Sequence, residues 1–147
     1  MKYKQSCECC GHNMTAYTHN LNKPLVNALI QLTNFYWKMH KPANLQKNLN
    51  LSKNQYNNFQ KLQYFRLVKR IEKGWLPTED GLDFVDNKIM IQSPVATLGK
   101  NILPLYHDAW KTHSGKVRRL YISDIIGYQY KTRPEYQEEK SNQASLI

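Results

Sequence analysis

Apolar positions along this chain change their spacing at a few points, and each change marks an element. From Asn22 to His40 the interval is helical: Leu25, Ala28, Leu29, Leu32 and Tyr36 fall at i, i+3, i+4, i+7 and i+11, one stripe of a helix. Asn22 can cap it, and Pro24 suits a first turn, where no internal donor is needed. Lys41-Pro42 ends it, because the residue before a proline is pushed out of helical geometry. Val26, Ile30 and Trp37 widen the apolar surface, which implies burial within the monomer or a contact with the N-terminal segment or a second subunit. Leu45, Leu49 and Leu51 pin a short second helix. Ser52 and Gln55 then have capping-box spacing, each able to satisfy a backbone amide of the other's turn, so a third helix starts at Lys53. Read at about 100° per residue as far as Arg66, its inner side is Gln55, Phe59, Leu62 and Arg66, and its outer side is Lys53, Asn57, Gln60, Lys61 and Tyr64.

After Arg66 the pattern becomes strand-like. Leu67-Val68-Lys69-Arg70-Ile71 and Trp75-Leu76-Pro77-Thr78 flank Glu72-Lys73-Gly74, a hairpin with a cationic tip. Thr78 can cap a further helix whose first turn carries Glu79 and Asp80, where acids suit the positive end of the dipole, and whose Leu82, Val85 and Ile89 turn inward. Short β-like runs follow at Ile89-Met90-Ile91, Val95-Ala96-Thr97-Leu98, Asn101-Ile102-Leu103 and Val117 to Ile122, with Gly99-Lys100 and Ser114-Gly115 as turns. From Tyr128 onward no stripe remains, and a polar, mobile tail is expected. The expected class is α+β, with units over residues 1–20, 21–89, 90–127 and 128–147.

The order helix, turn, helix, basic hairpin and then Leu76-Pro77-Thr78-Glu79-Asp80-Gly81-Leu82 resembles the winged-helix superfamily of DNA-binding domains, in which the wing runs into a last helix through a Leu-Thr-x-x-Gly phrase. Pro77 departs by one residue from the common spacing. The resemblance covers Leu21 to Asn87 and implies a helix presented to the major groove beside a basic wing. Winged helices also serve as protein-docking modules.

Charge strengthens the nucleic-acid version. Residues 1–78 hold 12 Lys/Arg and 2 Asp/Glu, a surplus of +10, whereas residues 79–147 hold 9 of each. The whole surplus therefore lies in the half with the third helix and hairpin, as suits a surface that displaces counterions from phosphates. Asn54, Asn57 and Gln60 are the expected base readers, since amides pair with base edges. Lys53, Lys61, Lys69, Arg70 and Lys73 are the expected phosphate contacts, with Tyr56 and Tyr64 as phosphate or stacking partners. A plainer reading makes the amide-rich face ordinary solvated surface.

The chemistry is otherwise confined to the start of the chain. Cys7 and Cys10 form a C-x-x-C-G turn with Gly11, which resembles a zinc knuckle, and His12 and His19 complete a candidate tetrahedral set. Cys9 competes for a place, His107 and His113 are distant alternatives, and a redox dithiol or plain reduced thiols are the other readings. No nucleophile accompanies His107, Asp108 or His113, Asp80, Asp83 and Asp86 spread around a helix, and no Gly-rich phosphate loop is present, so no enzyme is expected. The three cysteines lie within four residues, a poor basis for a disulfide framework, and point to a reducing cytoplasm. No apolar run approaches the about 20 residues of a membrane span.

The expected function is a non-enzymatic regulator that binds duplex DNA and carries zinc. The alternative is a small interaction protein of the kind found in phages and mobile elements, a likeness of composition only, that docks on a host nucleic-acid-handling enzyme or nucleoprotein complex.

Overall fold

The computed structural model describes residues 3–6 and 13–127. Cys7, Cys9, Cys10, Gly11 and His12, and the expected tail over 128–147, lie outside the described residues.

Helix α1 (Lys23–Met39) is the central element. Asn22 caps it by accepting from the Leu25 amide at 3.0 Å, and His40 closes it in the left-handed region at φ 52°, donating its amide to the Tyr36 carbonyl. Its buried set is wider than one stripe: Val26, Ile30 and Thr33 are buried beside Leu25, Ala28, Leu29 and Leu32. Helices pack on several sides of it. Helix α2 (Leu45–Asn48) and helix α3 (Lys53–Asn58) lead into a 3-10 turn (Phe59–Gln63) on one side. Helices α4 (Glu79–Val85) and α5 (Ile122–Ile126) cover another, placing Phe84, Val85, Ile122 and Ile126 in the same core as Leu29 and Phe59. The broad apolar surface of α1 is thus satisfied largely within the monomer.

Ser52 and Gln55 do form the capping box, at 3.1 and 2.8 Å. The third helix nevertheless stops being α-helical at Asn58, earlier than the expected continuation to Arg66. Phe59 and Leu62 are fully buried, but Arg66, expected inward, is exposed at φ 60°. The hairpin pairs β3 (Val68–Ile71) with β4 (Gly74–Pro77), Ile71 opposite Gly74, so its tip is the two residues Glu72-Lys73 rather than three. Ala43 joins β4 through reciprocal backbone hydrogen bonds with Trp75 at 2.9 and 3.0 Å, adding one residue of a third strand. Gly74, at φ +144°, is required here, because a Cβ would lie 2.5 Å from the Ala43 carbonyl oxygen.

The remaining strands join distant parts of the chain. β1 (Lys4–Ser6), β2 (Asn13–His19), β6 (Val95–Leu98) and β7 (Asn101–Leu103) form one antiparallel sheet in the order β1-β2-β6-β7, with Ala16 opposite Leu98 and His19 opposite Val95. The N-terminal and C-terminal segments, expected as separate additions, therefore build a common sheet. β5 (Ile91–Ser93) pairs with β8 (Arg118–Leu120). Ile122, expected to end that last strand, instead begins α5.

At the corner after the 3-10 turn, the Thr78 amide donates to the Leu67 carbonyl at 3.0 Å and the Thr78 hydroxyl to the Arg66 carbonyl at 2.6 Å. The same hydroxyl oxygen caps α4 by accepting from the Gly81 amide. A Cβ at Gly81 would collide with the Leu67 carbonyl oxygen. Gly81→Ala is expected to destabilise the protein by about 1–3 kcal/mol, the range for forcing an extra carbon into a packed contact. Leu62→Ala should cost about 2–5 kcal/mol through its cavity. Urea titrations of both variants check these values, and a neutral Gly81→Ala would mean that α4 does not press on this corner.

Candidate nucleic-acid interface

The exposed residues of α3 divide between two hollows instead of forming one face. On the hairpin side, a groove of about 420 Å³ is lined by Tyr56, Asn57 and Gln60 from α3 and its 3-10 extension, and by Arg70, Lys73 and Trp75 from the hairpin. Trp75 sits edge-on to Phe59 at 5.2 Å, so the core fixes its indole. Arg70, its cross-strand partner, holds its guanidinium 5.7 Å from the centre of the indole ring. Lys69 is opposite Leu76, one residue out of phase, and alternation turns it away from the groove. Gln46 of α2 donates to the Tyr56 hydroxyl at 3.3 Å, which steadies the phenol. Glu72 places a carboxylate at the tip end of the same groove.

On the opposite side of α3, a smaller hollow of about 260 Å³ is lined by Asn54, Asn58 and Lys61 together with Thr18, His19 and Asn20. Asn58 donates to both the backbone and the side-chain oxygens of Asn54 at 2.8 Å, so part of this amide surface is already engaged. Tyr64, expected on the outer face, is half-buried and stacks on His19, with ring centres 4.8 Å apart and planes at 30°. Lys53 lies elsewhere, beside a shallow hollow with Leu49, Leu51 and Tyr56. Tyr56, Asn57, Gln60, Arg70 and Lys73 are thus brought together, while Lys53, Asn54, Lys61, Tyr64 and Lys69 are not part of their groove.

Gln46 and Trp75 were not singled out from the sequence as site residues. Trp75 was the more legible of the two, since a two-residue hairpin tip at Glu72-Lys73 puts Arg70 directly across from it.

Of the four expected zinc ligands, His19 alone is among the described residues. It occupies the far end of β2, six positions from Asn13 and so about 20 Å away at strand spacing. Its Nε2 is 2.9 Å from the Thr97 hydroxyl. Among the described residues no group of three His, Cys, Asp or Glu side chains could hold a metal ion. Nor is any described helix long and apolar enough to cross a membrane.

Comparisons with protein-family models, with curated proteins and with solved structures found no match to this chain.

Burial, and secondarily the Lys61 ammonium, hold the His19 imidazole below its ordinary value of 6.5. Folding therefore opposes protonation of this residue. The unfolded chain binds more protons as pH falls through 6.5, so this contribution to stability is present above that pH and declines until the folded value is passed. In an NMR titration His19 is expected to titrate below 6.5, and Lys61→Gln should move it back part of the way. An unshifted His19 in the wild type would contradict this environment.

Proposed function

We propose that the protein is a non-enzymatic binder of duplex nucleic acid, DNA in the first instance, built on a winged-helix arrangement over residues 21–89. The observation that carries this reading is the groove between α3 and the hairpin, where three neutral side chains able to meet base edges or sugars stand beside two cations. The order of α1, the single-residue strand at Ala43, α2, α3 and the β3–β4 hairpin supports the winged-helix assignment. In this reading α3 presents Asn57 and Gln60 to base edges, Tyr56 packs on the backbone, and Arg70 and Lys73 hold phosphates. Arg70 is the better anchored cation, because Trp75 restrains its guanidinium before any ligand arrives. The charge surplus of the first 78 residues supplies a field that attracts polyanions.

Arg70→Ala with Lys73→Ala should weaken binding to all duplexes alike and lower the salt slope by about 0.9 for each phosphate that is no longer neutralised. Asn57→Ala or Gln60→Ala should remove about 1–3 kcal/mol at one base position and spare non-specific binding. Lys69→Ala, on the other hairpin face, should have the smaller effect on the slope. Fluorescence anisotropy across a salt series separates these patterns. A wild-type protein without salt-sensitive binding to any duplex would overturn the reading in favour of the docking-module alternative.

Zinc enters as a proposal on Cys7, Cys10, His12 and His19, with Cys9 as a competitor for a place. Elemental analysis of purified protein should find about one zinc per chain, as four-ligand sites bind tightly. Cys10→Ser should release it. Metal-free protein with freely titratable thiols would refute the zinc assignment.

A further inference from the structure

We propose that the side of α3 away from the hairpin receives a single-stranded arm of nucleic acid, so that the preferred partner is a duplex opening into a single strand. The inference rests on the nucleic-acid reading above and adds the class of partner to it. Three cations mark the path. Lys61 lines the smaller hollow beside His19, while Arg66 and Arg119 line a larger one of about 640 Å³ between the helical body and the strands. None of the three forms an ion pair with a described carboxylate. Arg119 donates one nitrogen to the Met90 carbonyl at 3.2 Å, which steadies the guanidinium and leaves other N–H groups for a phosphate.

The Tyr64–His19 stack lies where the two hollows adjoin, His19 lining the first and Tyr64 the second. Two part-buried aromatic rings flanked by cations offer a contact for an unpaired base and its phosphates, and such a contact tolerates any base. Beyond Tyr64 the larger hollow is lined by apolar side chains, among them Ile91, Val95 and Ile102, which suits base faces rather than a hydrated duplex backbone. Asp80 on its lining is the one acid there and opposes phosphate at that point, so the strand's charge falls to the Arg66 and Arg119 ends. Lys61 follows Gln60 of the hairpin groove in the chain, so a strand that leaves the duplex face meets this path by crossing the 3-10 turn.

The test compares a blunt duplex with the same duplex carrying a short oligothymidine arm on either end, by fluorescence anisotropy on the full chain. Wild-type protein is expected to bind an armed duplex about tenfold more tightly, the scale of one stacked base. Arg66→Asn with Arg119→Gln should bring that ratio close to one while blunt-duplex affinity holds, asparagine being tolerant of the left-handed backbone at Arg66. Tyr64→Leu should also lower the ratio, and thermal melting shows whether it folds. Arg70→Ala with Lys73→Ala should instead weaken both duplexes and keep the ratio. Equal wild-type affinity for blunt and armed duplexes overturns this inference alone, as does a preference that survives the double arginine change. Absence of salt-sensitive binding to both duplexes and to the free arm removes the nucleic-acid reading and this inference with it.

Discussion

The carbonyl of Leu67 is where the molecule turns from its helices to its hairpin, and the position of everything downstream depends on how that turn is held. It accepts the Thr78 amide and lies against the Gly81 backbone. Arg66, one residue earlier, bears the conformational cost of the turn at φ 60°, and its carbonyl is taken by the Thr78 hydroxyl. A single threonine therefore ties the start of β3, the end of β4 and the first turn of α4 to one point. Glycine three residues on lets the helix come close enough for this. That is a physical reason for the Leu-Pro-Thr-Glu-Asp-Gly-Leu phrase, and Pro77 is accommodated because it ends β4 opposite Val68, before the clamp begins.

Much of the helical body was legible because its signals are local. The Asn22 cap, the Ser52–Gln55 capping box and the Thr78 cap each require residues within three or four positions of one another. The Gly99-Lys100 turn, with Gly99 at φ +63° between Leu98 and Asn101, was readable in the same way. The phase of the third helix was not. An α-helix advances about 100° per residue and a 3-10 helix about 120°, so five residues of the tighter winding add about 100° by Tyr64. That rotation carries Tyr64 from the side of Gln60 round to the side of Asn54 and Asn58, where it meets His19. Apolar spacing alone did not signal the change, since Phe59 and Leu62 are buried under either winding.

The β-sheet was hidden for a different reason. β2 and β6 pair residues as far apart as Ala16 and Leu98, and neither strand carries a mark of its partner. The split of charge at residue 78 carries no sign of that pairing either. Charge records what the surface meets, whereas pairing depends on backbone edges and buried faces. Here the buried faces prevail: Ala16, Ala96, Leu98, Leu103 and Ala109 form a second apolar cluster that takes side chains from both ends of the chain. His19, legible only as a possible ligand, becomes a structural bridge through Thr97 and Tyr64.

The two hollows flanking α3 differ in how firmly their cations are placed, and that difference bears on what each can contribute. Arg70 rests on an indole that is held by Phe59 and by the Ala43 backbone, so little side-chain freedom remains to be lost when it meets a phosphate. Lys73, at the exposed tip of a two-residue turn, keeps its rotamers and adds to attraction at a distance more than to geometry. On the other side Lys61 is half-buried beside the His19 imidazole, and Arg119, in the larger hollow beyond Tyr64, is restrained through Met90. On the proposed nucleic-acid reading, a polyanion drawn in by the diffuse field would find its orientation set by the fixed guanidinium groups, Arg70 at the hairpin groove and Arg119 at the larger hollow. The short helix α3 need not fill a groove by itself, because Arg70 is held beside it through Trp75 and Phe59, and Arg119 stands on a strand that runs into α5 of the same core.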